Sequence, residues 1–193
     1  MGAWFIFFVF IEKMGKHALA ISNITRSIYM VDMTPMWGFS VAANSMVSNL
    51  IGQGRSSEVM TLLNRIIKMA TVISLAVILL NIVFRVPLMN MFTSDEALVH
   101  DSYGSLLMIC IAMIVFPMAI VCISAVSGTV ATRTALYIEI VAILIYMLYL
   151  VVAVFKLETS LETAWLAEAI YWIFTGGVSY LFLKSMKWTK IRI

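Results

Sequence analysis

Long apolar runs without a single charged residue constrain this chain most. Residues 72–83 and 140–155 are two such runs. A helix of ~20 apolar residues crosses a ~30 Å hydrocarbon layer, whereas a transmembrane β-strand alternates apolar and polar residues over ~10 residues. Because the apolar residues are continuous and do not alternate, the sequence favours membrane-spanning helices over a barrel.

The composition makes lipid the natural solvent of the chain. Of 193 residues, 63% are hydrophobic and only 12% are charged, whereas a soluble domain is about half apolar and about a quarter charged. So few charges cannot cover a water-facing surface, and we therefore expect an integral membrane protein instead of a soluble enzyme. The net charge of +3 is small and the only basic run is the C-terminal tail, which argues against a nucleic-acid partner.

The apolar runs divide the chain into about six helices that form one transmembrane bundle over residues 1–193. We expect them at about residues 1–12, 18–51, 64–84, 103–127, 134–155 and 163–183. The first covers only about half a bilayer, so we interpret it as the end of a spanning helix whose beginning is missing. A signal peptide cleaved near Ala18-Leu19-Ala20 is the alternative. Pro35 and Gly38 predict a tilt or kink in the second helix.

Positive charges predict the orientation of the bundle. On the side of the C-terminus there are eight, against four on the other side. The eight are Arg55, Arg65, Lys68, Arg133, Lys184, Lys187, Lys190 and Arg192, and the four are Lys13, Lys16, Arg85 and Lys156. Five acidic residues gather opposite the C-terminus, namely Asp95, Glu96, Asp101, Glu158 and Glu162. We therefore expect a multi-pass protein of the plasma (inner) membrane with a cytoplasmic C-terminus and Trp188 as an interfacial anchor.

Catalytic and metal-binding patterns are missing from the sequence. It contains no nucleophile elbow, phosphate-binding loop or HExxH pair. His17 and His100 fall in short polar connections, and Cys110 and Cys122 lie in one apolar segment, where buried free thiols are expected. We therefore expect no enzyme, no metal site and no cofactor.

Four charged residues stand out within the apolar segments, namely Arg26, Asp32, Glu139 and Glu168. A charge at the centre of a membrane helix costs at least ~2.5–3.5 kcal/mol, so such residues are functional candidates. Arg26 and Asp32 are about 240° apart around one helix and do not form a simple ion pair. Asp32 precedes Pro35 by one turn, and we expect its carboxylate to face a cavity.

The other polar residues at membrane depth have two interpretations each. Asn44 lies among small and polar residues that either line a pathway or mediate helix contacts. Glu139 shares a helical stripe with Tyr146 and faces either a cavity or the headgroups. Glu168 shares a semi-polar face with Trp172, Thr175 and Ser179, which belongs to a bundle interior or to a water-filled path. The candidate substrate and ion pathway therefore comprises Arg26, Asp32, Asn44, Glu139, Tyr146 and Glu168.

Three blocks of sequence resemble one family. Residues 37–54, WGFSVAANSMVSNLIGQG, resemble the small-residue helix ending in V-G-Q of the multidrug and toxic compound extrusion (MATE) transporters. Upstream, GKHALAI at residues 15–21 is similar to the family's G-E-x-A-L-A-A entry to the same helix. Downstream, SGTVATR at residues 127–133 is similar to its R-G-x-x-x-T-R turn. The three blocks occur in the family's order and spacing.

The resemblance implies a fold and a function. The family has twelve helices in two six-helix bundles, of which this chain would be the C-terminal one, with the N-terminal bundle in cis or supplied as a separate chain. Such transporters export cationic amphipathic drugs in exchange for Na⁺ or H⁺, by rocking one bundle against the other in the lipid bilayer. The resemblance leaves the coupling residue open, because most of helix seven is missing and residues 115–118, where some members carry an aspartate, read VFPM. Asp32 and Glu139 are the donors that remain.

Two other functions fit the sequence less well. A lipid-linked oligosaccharide flippase of the same superfamily would line its cavity with several Arg and Lys, whereas Arg26 is the one such residue that lies away from the ends of the segments. A non-transporting membrane subunit that binds a partner chain is the second alternative.

Overall fold

Helices make up the fold, and the computed structural model describes residues 2–129, 131–156 and 159–190. The α-helices are α1 (Gly2–Lys13), α2 (Lys16–Gly52), α3 (Val59–Val83), α4 (Arg85–Asn90), α5 (Glu96–Gly128), α6 (Thr132–Leu150) and α7 (Leu161–Lys184). Within those residues there is no β-strand, which confirms the all-α fold class. Met1, Val130, Glu158 and Arg192, which the sequence arguments used, lie outside the described residues.

Local chemistry explains where the helices depart from the expected bounds. α5 begins at Glu96 instead of near residue 103, because the Asp95 carboxylate accepts hydrogen bonds from the backbone N–H groups of Ala97 and Leu98 and so caps the helix. The predicted break at residues 85–87 is instead the start of the short helix α4, whose first turn tolerates Pro87. α2 continues as one helix through Pro35.

Helix α5 forms the centre of the bundle and packs most extensively against α7 and α2. Glycines permit this close approach. A Cβ atom added to Gly128 would lie 2.7 Å from the backbone oxygen of Asn44 on α2, and one added to Gly176 on α7 would lie 3.0 Å from the Cα of Ala119. Small residues at helix contacts are typical of membrane proteins, where close backbone packing drives association.

The long helices α2, α5 and α7 run parallel. His17 contacts Asp101 near the starts of α2 and α5, and we call this side the His17 end. The Ser48 hydroxyl donates to the Gly128 carbonyl near the ends of the same helices, and we call that side the Gly52 end. α3 and α6 connect the two ends in the opposite direction.

The exposed faces of α3 and α6 are mainly apolar. Helical spans at Ser56–Val83, Glu96–Gly128, Thr132–Val154 and Leu161–Lys184 are long and apolar enough to cross a membrane. The exposed side chains of α3 and α6 are mainly large hydrophobic ones, including Val72, Leu75, Leu79, Leu136, Val141, Leu144 and Leu148. Lipid accommodates such a surface without the cost that water imposes.

Trp188 does not extend from the bundle. Its side chain is only 2% exposed, and its indole N–H donates to the Leu183 carbonyl at the end of α7. The expected interfacial anchor is therefore wrong in this structure, because the free carbonyls of a helix C-terminus offer the indole an acceptor inside the protein.

Candidate functional site

A carboxylate surrounded by aromatic side chains forms the most enclosed polar cluster. Glu168 on α7 is 4% exposed. The Tyr146 hydroxyl donates to its Oε1 over 3.2 Å, and the Tyr29 hydroxyl donates to its Oε2 over 3.4 Å. The Trp172 indole N–H donates to the Tyr29 hydroxyl over 2.9 Å. We call Glu168, Tyr29, Tyr146 and Trp172 the Glu168 cluster.

Three helices position the cluster, and aromatic rings enclose it. Glu168 and Trp172 are one turn apart on α7 and therefore share a face. The Trp4 ring of α1 stacks on Tyr29 with ring centroids 5.8 Å apart, and Phe116 of α5 packs edge-on against Trp172 at 4.5 Å. Glu168 thus lies in the interior of the bundle, with Tyr146 hydrogen-bonded to it.

Asp32 lies in a second buried site. It is 6% exposed, and its Oδ2 accepts a hydrogen bond of 2.7 Å from the side-chain amide of Asn81 on α3. The buried thiol of Cys110 on α5 lies near both groups. Sequence reasoning missed Asn81, although an amide within the apolar run at residues 72–83 was the signal that could have identified it.

Neither of these carboxylates has a cationic partner in the described part of the chain. The ion pairs found there join His17 with Asp101, Arg55 with Glu58 and His100 with Asp101. Arg26 does not pair with Asp32, which agrees with the prediction from their separation around the helix. Its guanidinium instead lies 4.7 Å from the centre of the Phe8 ring, a cation–π contact.

Glu139 is half-buried and accepts a hydrogen bond of 2.6 Å from the Tyr171 hydroxyl. Tyr171 in turn packs edge-on against Tyr146 at a centroid distance of 6.1 Å. Glu139 and Tyr146, predicted on one stripe, are therefore linked through α7. Glu139 borders the Glu168 cluster without belonging to it.

Asn44 takes part in the contact between α2 and α5. Its amide donates to the Ser124 carbonyl over 3.1 Å, Ser40 shares a hydrogen bond with the Ser124 hydroxyl, and Ser48 donates to Gly128. These bonds match the helix-contact alternative for Asn44. The structure places Asn44 apart from the Glu168 cluster.

The His17 end carries a cavity that the sequence did not predict. It has a volume of about 820 Å³ and is lined by charged residues from α4, α5 and the start of α7, among them Arg85, Asp101 and Glu162, together with apolar ones. The Arg85 guanidinium lies 4.2 Å from the centre of the Tyr103 ring. The signal was the set of acidic residues opposite the C-terminus, of which the fold places Glu96, Asp101 and Glu162 around a concave surface.

No group of three His, Cys, Asp or Glu residues within the described ranges could hold a metal ion.

The family model MatE matches residues 2–152, which is well over half of the chain. The chain belongs to the MatE family. It is therefore a multi-pass membrane protein with the fold of a transporter family.

Solved structures of transporters share the fold. An outward-facing multidrug resistance MATE family transporter of the MOP superfamily superposes with a TM-score of 0.85 at 18% identity, covering 95% of this chain and 41% of its own. A MOP superfamily transporter from Pyrococcus furiosus, described as having a binding pocket of reverse polarity, gives a TM-score of 0.86 at 19% identity over 95% and 42%.

A MATE protein in complex with MaL6 gives a TM-score of 0.78 at 17% identity, over 95% of this chain and 43% of its own. No curated protein matches the chain significantly. The MatE chain thus spans less than half the length of the solved transporters it resembles.

Proposed function

We propose that this MatE chain is the C-terminal lobe of a multidrug efflux antiporter that exports cationic amphipathic compounds in exchange for Na⁺ or H⁺. The order of its three family motifs supports the C-terminal position. The match to about two fifths of each solved transporter supports a lobe that works with a second one, in cis or as a separate chain.

The sign of the buried charges carries the proposal. Asp32 and Glu168 are buried carboxylates with no cationic partner among the described residues. Burying an unpaired charge costs on the order of several kcal/mol. Such groups therefore take up a proton or bind a cation. A lobe that presents two such groups suits the coupled movement of cations.

The same charges argue against a flippase for anionic lipid-linked sugars. Arg26 is the basic residue within the membrane part of α2, and its guanidinium lies against the Phe8 ring. One shielded guanidinium offers little to a diphosphate headgroup, whereas recognition of phosphate usually takes several basic groups.

The proposed orientation has the Gly52 end and the C-terminus in the cytoplasm. Arg55, Arg65, Lys68, Arg133 and Lys184 lie at or near the Gly52 end, and cytoplasmic loops carry the excess of Lys and Arg. The 820 Å³ cavity at the His17 end then faces the cell exterior, on the release side of an exporter.

Efflux of a fluorescent cation from cells tests this function. Cells that express this lobe together with the second lobe, which we call the full-length protein whether it is one chain or two, should expel ethidium faster than cells with an empty vector. An anionic dye such as fluorescein should leave both at the same rate. Equal ethidium efflux at confirmed expression would contradict the proposal. Co-purification of an unrelated membrane chain in that case would favour the partner-binding subunit.

A further inference from the structure

We propose that Glu168 is a proton-binding site, and that the coupling ion of this transporter is H⁺ rather than Na⁺. The inference rests on the proposed function and names the ion that the function leaves open. It follows from the groups that surround the carboxylate in the Glu168 cluster, from the direction of their hydrogen bonds, and from a row of buried hydroxyls beside it.

The groups that face Glu168 come from every helix packed around it. α2 contributes Tyr29 and α6 contributes Tyr146. The Trp172 indole on α7 and the Trp4 indole on α1 also approach the carboxylate, and α5 contributes the apolar ring of Phe116. The other charged groups on these helices near the cluster include Asp32 and Arg26 on α2 and Glu139 on α6. The two acidic groups cannot offset a negative charge on Glu168, and the Arg26 guanidinium lies against the Phe8 ring and is not among the ion pairs of the described residues.

The surrounding groups are donors, which suits a proton better than a metal cation. A hard cation is held by several oxygen lone pairs from carboxylates, carbonyls and water. Here Tyr146 and Tyr29 each direct a hydroxyl proton at one carboxylate oxygen, and the Tyr29 oxygen already accepts from Trp172. The backbone carbonyls nearby belong to the interior of helices and are used in helical hydrogen bonds. One proton on the carboxylate neutralises the buried charge without any further ligand.

Buried hydroxyls extend from the Glu168 cluster toward both ends of the bundle. Ser22 and Thr25 share the α2 face of Tyr29 and lie within about 10 Å of it along the helix. Ser179 shares the α7 face of Glu168 and lies about 16 Å beyond it. These hydroxyls are 0–1% exposed and have no hydrogen-bond partner in the described part of the chain.

A buried hydroxyl without a protein partner is a place where a water molecule can bind, because burial of an unsatisfied polar group is costly. Ser22 and Thr25 mark such positions on the His17 side of the cluster, and Ser179 marks one on the Gly52 side. We infer that the proton reaches and leaves the Glu168 oxygen along these two sides. No bond other than O–H bonds is made or broken.

Protonation also changes the contacts between helices. The charged carboxylate accepts from α2 through Tyr29 and from α6 through Tyr146, and a protonated carboxyl has one oxygen that donates instead of accepting. One of the two tyrosine bonds must weaken or reverse when the proton binds. The protonation state of Glu168 therefore alters the packing of α7 against α2 and α6, which is a physical route from ion binding to lobe movement.

Proton release on substrate binding tests the inference. Ethidium is added to the purified full-length protein in weakly buffered detergent solution, and a pH dye reports the protons released. The wild type should release protons equally in NaCl and in choline chloride, and Glu168→Gln should lose most of the release because its amide side chain does not bind a proton. Glu58→Gln, an exposed glutamate at the Gly52 end, is the matched control and should behave as the wild type.

A second measurement uses the wild-type protein and therefore does not depend on whether Glu168→Gln folds. Proteoliposomes without Na⁺ should export ethidium under an imposed pH gradient. Export that requires Na⁺, or proton release that persists in folded Glu168→Gln protein, would overturn the proton site while leaving the efflux function standing. A wild type that neither binds nor exports ethidium would instead contradict the proposed function.

Discussion

The Tyr146 hydroxyl on α6 lies 3.2 Å from the Glu168 carboxylate on α7 and donates a hydrogen bond to it. Both side chains are buried, and the bond joins two helices that follow each other in the chain. Tyr29 of α2 makes the equivalent bond to the second carboxylate oxygen. One acidic group thus holds three helices together, which makes helix packing sensitive to its charge.

Loss of the Tyr146 hydroxyl should destabilise the protein. Tyr146→Phe leaves one oxygen of a buried carboxyl group without its donor, at a cost of about 1–3 kcal/mol. Thermal unfolding in detergent measures this cost, and Tyr137→Phe is the control, since Tyr137 on the same helix is 66% exposed. In a Glu168→Gln background the effect of Tyr146→Phe should shrink, as expected for coupled neighbours. Equal melting temperatures for Tyr146→Phe and Tyr137→Phe would contradict the described contact.

Asn81 should matter through Asp32. Asn81→Leu removes the amide that donates to Asp32, so we expect a loss of about 1–3 kcal/mol in the unfolding free energy. Asn64→Leu, at an exposed position of the same helix, should change stability much less. If both variants unfold at the same temperature, the bond contributes nothing measurable.

Asp32→Asn in the full-length protein should weaken ethidium efflux while leaving membrane insertion intact. The amide side chain keeps the size of the carboxylate but cannot bind a proton or offset a cation. Drug resistance of cells, compared at equal expression, measures the effect. Unchanged resistance would remove Asp32 from the mechanism.

The contact between α2 and α5 should fail when a methyl group is added at Gly128. Its Cβ would lie 2.7 Å from the Asn44 backbone oxygen, and backbone cannot yield as a flexible side chain does. We expect Gly128→Ala to cost about 1–3 kcal/mol by overpacking. Gly38→Ala on α2, where a Cβ meets nothing within 4 Å, is the control. Equal thermal stability of the two variants would contradict the close helix approach.

The helical segments could be predicted because apolar runs and proline breaks are local signals. The bounds were less certain where capping decides them, as at Asp95, whose side chain starts α5 earlier than the apolar run does. The short helix α4 was missed because its residues 85–87 resemble a break. A proline excludes the helix interior but fits a first turn.

Individual residues of the candidate site could be predicted from the sequence, but their contacts with one another could not. Charge at membrane depth identified Asp32 and Glu168, because such residues are costly wherever the fold places them. Their partners Asn81 and Tyr29 lie 49 and 139 positions away in sequence, and no periodicity within one helix relates them. The pairing of α2 with α7 around α5 depends on close contacts such as Gly176 against Ala119, which sequence spacing does not encode.

Cysteine labelling tests the proposed orientation. Gln53→Cys at the Gly52 end and Ser94→Cys before α5 are both exposed positions, while the native Cys110 and Cys122 are buried and should not react. A membrane-impermeant maleimide should label Ser94→Cys in intact cells and Gln53→Cys only in inside-out vesicles. The reverse pattern would invert the topology and place the 820 Å³ cavity in the cytoplasm.

Exchange of ethidium for protons in proteoliposomes tests the antiport claim most directly. Vesicles that contain the full-length protein and the dye pyranine are loaded with ethidium and diluted into ethidium-free buffer of the same pH without Na⁺. We predict that ethidium leaves and that the vesicle lumen acidifies at the same time, because each exported cation is exchanged for protons. Three results together would contradict a cation antiporter. Ethidium would leave no faster than from protein-free vesicles, the lumenal pH would not change, and Na⁺ supplied outside would not enter.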